Sequence, residues 1–222
     1  MTSAPSLDTR WEPLSAESVA ELFGGTPARW WLSGGVALDR WLGEPIRDRV
    51  NIDVSTTRAD VAQLVAALPA RYSAWIPDGD DAVRAWPVAA DVAGATEDAD
   101  LQPVRVRDEE TGAWVLQMNV EDGSPRGWLY LRDPRLQLPW DRAVLDLDGI
   151  PTGAPEVQLV WKALRPRPED ELDKDAVFPK LSDEARAWWE RAILSIHPHS
   201  TWSIHVRTPL TPAKASWNRP RR

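Results

Sequence analysis

The chain has no cysteine and only three histidines in 222 residues. Disulfides, thiolate metal centres and a cysteine nucleophile are therefore excluded, and a zinc site is not expected. No run of about 18 apolar residues occurs, and the start of the chain has neither the basic stretch nor the apolar core of a secretory signal, so a cytoplasmic protein without a membrane partner is expected. Positive charge is in deficit as well: 26 Lys and Arg stand against 34 Asp and Glu, a formal net charge of -8. Such a balance does not suit a binder of long nucleic acid, which neutralises phosphates with clustered basic side chains. Phe and Tyr number two each while Trp numbers 14. Most of these indoles are expected in the core, and a few of them suit the wall of a pocket for a flat ligand.

The length fits one large domain, with an α/β core over residues 1–150, a helical segment over 151–205 and a flexible basic tail over 206–222. Residues 15–22 read as a short helix capped by Ser15 and stopped at Gly24. Next comes RWWL (29–32), an apolar strand, then the turn Ser33-Gly34-Gly35, and then a helix over 36–42 whose inward candidates are Val36, Ala37, Leu38 and Trp41. VNIDVS (50–55) alternates apolar and polar side chains, so Val50, Ile52 and Val54 should face the core while Asn51, Asp53 and Ser55 face the other way. An amphipathic helix is expected over 58–68. Weak strand signals follow around Trp75-Ile76, 83–86 and 104–106, with a loop or short helix over 91–100. AWVLQMNV (113–120) and GWLYL (127–131) read as a strand pair, and residues 139–150 hold one further strand signal. From Pro155 the pattern is helical, with a charged, Pro-punctuated loop over 165–175 and a helix over 183–194 capped by Ser182.

A strand, a Gly-Gly turn, a helix and a second strand with polar residues at alternate positions form a phosphate-handling pattern. Glycines admit phosphate oxygens close to backbone N–H groups, and a helix N-terminus favours negative charge. Acids two apart on a strand share a face at about 7 Å, so both can ligate one Mg²⁺.

The ordered set Ser33, Gly34, Gly35, Ala37, Asp39, Leu42, Gly43, Arg47 and Asp53 resembles the signature of aminoglycoside- and lincosamide-type nucleotidyltransferases, and the resemblance extends over about residues 28 to 205. It implies a nucleotidyltransferase fold, an α/β (α+β) protein with a mixed twisted sheet flanked by helices and a C-terminal helical segment. It also implies an NTP and Mg²⁺ as cofactors and a small-molecule acceptor; oligomeric state is not read. The implied site places phosphates on Ser33, Gly34, Gly35, Arg47 and Lys162, and metal on Asp53 with Asn51. The candidate catalytic residues are Asp53 and Asn51 together with Gln117 and Glu121 on the downstream strand, and the base is Glu121 or an acid such as Asp91. Here the chain departs from the family pattern. Val36 replaces a Trp, Arg49 stands where His is usual, and Asn51 takes the first place of Asp-x-Asp. Gln117 and Asn119 occupy the face where a third acid belongs, with Glu121 just beyond. Each missing carboxylate removes charge that a two-metal site needs.

Two functions follow. One is transfer of a nucleoside monophosphate from an NTP to a hydroxyl of a small molecule. The other is a catalytically degenerate relative that reuses the cleft for ligand binding or metal-independent tailoring chemistry. Elsewhere, Asp39 and Arg47 are expected to brace the turn as an ion pair, and Arg165, Arg167 and the acids between Asp170 and Asp173 to pin the helical segment to the core. His197, His199 and His205 are expected to be structural, and the arginines of the tail solvated.

Overall fold

A computed structural model describes residues 4–79, 82–87 and 102–207. The chain begins with α1 (Ala16–Phe23), whose N-cap Ser15 accepts a hydrogen bond from the Ser18 N–H. The strand β1 (Trp30–Ser33) then runs directly into α2 (Gly34–Leu42). Gly43 closes α2 in the left-handed region at φ 79°, the conformation in which a residue without Cβ carries no steric penalty. The strand β2 (Asp53–Thr57) returns antiparallel to β1. After α3 (Val61–Ala66) come β3 (Tyr72–Pro77), β4 (Val83–Ala85) and β5 (Val104–Asp108). The long β6 (Trp114–Ser124) forms a hairpin with β7 (Gly127–Leu129), which in turn pairs with β8 (Gln137–Pro139). A short α4 (Trp140–Ala143) leads to the hairpin of β9 (Val144–Leu147) and β10 (Ile150–Gly153). The helices α5 (Pro155–Lys162), α6 (Pro168–Val177), α7 (Asp183–Ile196) and α8 (Thr201–Arg207) complete the described chain.

The expected mixed α/β architecture is present. The main sheet has the order β4-β3-β5-β6-β2-β1-β10-β9, with β6 parallel to β2, β10 parallel to β1, and the other neighbours antiparallel. Alternation sorts its side chains onto two cores. Trp30, Leu32, Ile52, Val54, Leu116, Met118 and Val120 join α1 and α3 on one face. Trp31 points to the other face, into a core built with α2, α5 and α7. On that second face, β2 and β6 present polar residues in register: Asp53 opposite Gln117, Ser55 opposite Asn119, and Thr57 opposite Glu121. These paired polar residues interrupt the apolar packing of that face where the two strands meet. Among the described residues, no helix is long and apolar enough to cross a membrane.

Several expectations change. Val50 is 71% exposed, because the strand begins at Asp53 and the preceding residues belong to a loop, so only Ile52 and Val54 reach the core. Within α2 the inward reading holds: Ala37 and Leu38 are buried, and Val36 and Trp41, though partly exposed, pack against the two cores. Residues 165–175 are not a loop, since most of them form α6. Pro168 sits in its first turn, acids follow at Glu169, Asp170 and Glu171, and Asp170 Oδ2 accepts from the Arg167 N–H, which is how a helix start satisfies its free donors. This helix escaped the hydrophobic pattern because its buried face, Asp170, Asp173 and Val177, is two-thirds carboxylate. The boundary placed at 150/151 falls at the start of β10, a strand of the main sheet. α8 runs past residue 206 to Arg207. The rest of the expected tail and the segment 91–100, including Asp91, lie outside the described residues.

Candidate active site

The site is built where β1 hands over to α2. Ser33 pairs with Asp53 across β1 and β2, and Gly34 turns the chain at φ +62°. A Cβ on Gly34 would lie 2.5 Å from Asp53 Oδ2, so only glycine lets the turn pass this close to the acid. Gly-Gly and Asp53 therefore stand side by side. At Gly35 a Cβ would meet the guanidinium of Arg49 at 2.5 Å.

Asp53 is surrounded by carboxamides. Its Oδ1 accepts from Asn51 Nδ2 at 3.0 Å and from Gln117 Nε2 at 3.0 Å, and Asn119 also hydrogen-bonds the carboxylate. Burial pushes the carboxyl up to about 6, against the opposing pull of the Lys162 and Arg167 charges and of these amide donors. The three residues that the sequence placed together (Asn51, Asp53 and Gln117) are in contact, with Ser33 and Gly34 beside them.

Glu121 lies elsewhere. It is on the same face of β6 but four residues beyond Gln117, roughly 13 Å along the strand. The residue is 2% exposed, and its carboxylate accepts from the indole N–H groups of Trp128 and Trp161. Burial raises its pKa, against hydrogen bonds from Ser55 and both indoles. It cannot share one metal ion with Asp53.

A cleft of about 320 Å³ runs over this face, lined among others by Ser33, Gly34, Ser55, Asn119, Glu121 and Lys162. A smaller cavity of about 130 Å³ holds Asp53 with Asn51, Arg47, Arg49, Lys162 and Glu169. The two share Lys162 and Arg167, so Asp53 opens beside the larger cleft.

A knot of charges forms the wall between them. Asp39 does not pair with Arg47 as expected. It accepts from Arg49 at 2.6 and 2.8 Å and from the Ile46 N–H at 3.0 Å. Arg47 instead meets Asp173 at 3.1 Å, where Arg49 and Lys162 also converge at 2.9 and 3.0 Å. Lys162 also reaches Asp170 at 2.7 Å and Arg167 meets the same acid at 3.0 Å. Burial opposes the charge of Asp170, but hydrogen bonds from Arg167 and Lys162 hold it at about 2. Asp173 is likewise held below the usual range by Arg47 and Lys162 against the cost of burial. These acids tie α6 to α5 and to the loop before β2, the pinning expected of the charged segment. His197 is buried with its Nε2 3.0 Å from the Tyr130 hydroxyl, and burial lowers its pKa, whereas His199 is exposed.

The donor set of the described residues does not fit a pair of magnesium ions. Among the described residues no group of three or more His, Cys, Asp or Glu side chains is placed to hold a metal. Around Asp53 the neighbouring positions carry neutral amides, which offer a carbonyl oxygen but no charge.

A family model described as aminoglycoside-2''-adenylyltransferase matches residues 16–111. Over that segment the chain is similar to this family. The matched segment carries α1, the Ser33-Gly34-Gly35 turn, α2 and the Asp53 strand, which is the half of the site nearest the turn. Gln117, Glu121, Gln158 and Lys162 lie beyond it. Two solved structures are similar over most of their length. One is a crystal structure of ANT(2'')-Ia in complex with adenylyl-2''-tobramycin, at 11% identity and TM-score 0.46, covering 80% of this chain and 92% of that one. The other is a solution structure of the antibiotic-resistance factor ANT(2'')-Ia, at 13% identity and TM-score 0.48, covering 82% and 89%. No curated protein sequence matches the chain.

Sequence reasoning missed Gln158. Its Oε1 accepts from the Gly34 N–H at 2.8 Å, so the amide expected to serve a phosphate is already engaged. The signal that would have found it is faint: a buried polar residue within the apolar run of α5, two residues before which Glu156 is also buried.

Proposed function

We propose that this chain is a nucleotidyltransferase-fold protein that binds a small molecule in the cleft beside Asp53 without the two-metal chemistry of its relatives. The observation that carries the reading is the ring of carboxamides around one carboxylate: Asn51 and Gln117 donate to Asp53, and Asn119 joins them. Two-metal transfer needs several negative charges to hold divalent cations against a polyphosphate and to deprotonate the attacking hydroxyl. A unit charge pair at 4 Å is worth about 4 kcal/mol at intermediate dielectric, and a divalent ion doubles that. Replacing two such acids by amides therefore removes the greater part of the attraction. The charges of Lys162 and Arg167 are close enough to act on Asp53, and they oppose a cation there, although each is also paired with a carboxylate of α6.

A second reading, transfer of a nucleoside monophosphate from an NTP to a hydroxyl of a small molecule with Mg²⁺ at Asp53 and Asn51, is favoured by the family match over residues 16–111. The two readings separate cleanly. Calorimetric titration with ATP, with and without Mg²⁺, is paired with mass spectrometry for adenylylated tobramycin. The degenerate reading expects no Mg²⁺-dependent ATP binding and no product from the native chain. It also expects Mg²⁺-dependent binding to emerge when Asn51→Asp and Gln117→Asp are combined. Adenylylated product from the native chain that disappears in Asp53→Ala would establish the second reading instead.

A further inference from the structure

Between α7 and the turn that joins β7 to β8 lies a depression of about 170 Å³ that shares no residue with the cleft. One wall is α7, which contributes Trp188, Arg191, Ala192, Ser195 and Ile196, a spacing of three and four that sets all of them on one helix face. The facing wall is the turn carrying Asp133, Arg135 and Leu136. That turn is fixed from within. The Asp133 carbonyl accepts from the Leu136 N–H at 2.9 Å and its Oδ1 from the Arg135 N–H at 3.1 Å, while the carboxylate clamps the Arg135 guanidinium at 2.9 and 2.6 Å. Both walls are therefore in place before any ligand arrives, which lowers the ordering cost of binding.

The lining divides by chemistry. Ala192 is buried, and Leu136, Trp188 and Ile196 are half-buried against the second core, so the floor is apolar. The rim is cationic although the chain as a whole carries a net charge of -8. Its one acid, Asp133, is already neutralised by Arg135. Arg191 is exposed, and its neighbours one turn away on α7 are Ala187, Trp188, Leu194 and Ser195, none of them an acid. Among the described residues Arg191 has no carboxylate or hydrogen-bond partner, and the Trp188 indole N–H and Ser195 hydroxyl have no hydrogen-bond partner either. Size narrows the occupant. A cavity of about 150 Å³ takes a benzene ring, whereas drug-sized ligands occupy about 300–1,000 Å³, so one ring or one branched chain fills this depression and a nucleotide does not enter. We propose that it binds a small carboxylic acid carrying a single apolar ring or branched chain. The apolar part lies on Leu136, Trp188 and Ile196, and the carboxylate is forked by the Arg191 guanidinium, with Ser195 and the Trp188 N–H as further donors. A bare inorganic anion would leave the apolar floor in water, and a cation would meet the arginines.

The test is an NMR titration of the full ¹⁵N-labelled chain that follows the Trp188 indole N–H, assigned by its loss in Trp188→Phe. Phenylacetate and isocaproate are the probes, with phenylacetamide, phenethylammonium and inorganic phosphate for comparison. At least one of the two acids should shift the Trp188 signal and saturate below about 10 mM, the range open to so small a ligand. Phenylacetamide keeps the ring and loses the charge, and Arg191→Gln loses the fork; each should weaken binding about fivefold, the upper end for an ion pair at an exposed rim. The proposal is overturned if neither acid moves the indole, or if phenylacetamide or phenethylammonium binds as tightly as phenylacetate. It is overturned equally if R191Q binds phenylacetate as the native chain does, or if phosphate moves the same signal at the same concentration, which would make the rim a general anion patch. Should R191Q lose spectral dispersion, the comparison of phenylacetate with phenylacetamide on the native chain decides alone.

Discussion

Replacing Asp53 by Asn should make the protein more stable at neutral pH and not in acid. Burial raises the Asp53 carboxyl from its ordinary 3.8 to about 6, so the folded chain holds that proton more tightly than the unfolded chain does. The sign follows: the fold is favoured with Asp53 protonated, and stability falls as pH rises from about 4 to about 6 and stays lower above that. At about 1.4 kcal/mol per tenfold change in proton affinity, the full loss is about 3 kcal/mol, and water at the cleft mouth reduces it to about 2. An asparagine at 53 removes the charge while its Oδ1 can still accept from Asn51 and Gln117, which both donate to Oδ1 in the native chain. For a chain of this size roughly 2–4 °C accompany each kcal/mol, so D53N should melt about 4–8 °C higher at pH 7.5. Below about pH 4 the two proteins should melt together. Denaturant titrations of both at pH 4 and 7.5 check this, and the comparison cancels the titration of all other acids. Equal stability at pH 7.5, or the same gain at both pH values, would refute the account of a lone carboxylate solvated by amides. A carboxylate kept where its charge costs stability is the pattern of a residue retained for use, because sites for function commonly trade stability for it.

Other perturbations test the scaffold. Asp173→Asn leaves Arg47, Arg49 and Lys162 converging on a buried neutral group. It should therefore cost about 3–5 kcal/mol, read as a lower denaturation midpoint at pH 7, with the difference shrinking as acid protonates the native carboxyl. Gly34→Ala forces an L side chain into φ +62° and sets its Cβ 2.5 Å from Asp53 Oδ2. Stability should drop by more than about 1 kcal/mol, and the drop should be smaller when Asp53 is also replaced by Ala, a coupling that a double-mutant cycle measures.

How much of this could be read from the chain alone differs from element to element. The Gly-Gly turn, the helix after it and the alternation that sets Asn51 and Asp53 beside each other are local matters, governed by φ, ψ and a period of two, and they are visible in a dozen residues. The same holds for the depletion of acids, because Gln117 and Asn119 share a strand face by arithmetic. α6 was hidden because its inward side is Asp170 and Asp173. Carboxylates on a buried face make sense only once Arg47, Arg49 and Lys162 arrive from other parts of the chain. Glu121 looked like a neighbour of Gln117 in sequence, yet along an extended strand four residues carry it to the far end of the cleft.

Residue order by itself determined the turn, the strand carrying Asp53 and the shortage of negative charge around it, since each depends only on neighbours along the backbone. Tertiary structure decided that Asp39 takes Arg49 rather than Arg47, and that Gln158, 124 residues from Gly34, covers its amide. Those choices depend on which long-range contacts satisfy buried polar groups, and such contacts exist only after the sheet and the helices α2, α5 and α6 have closed around one another.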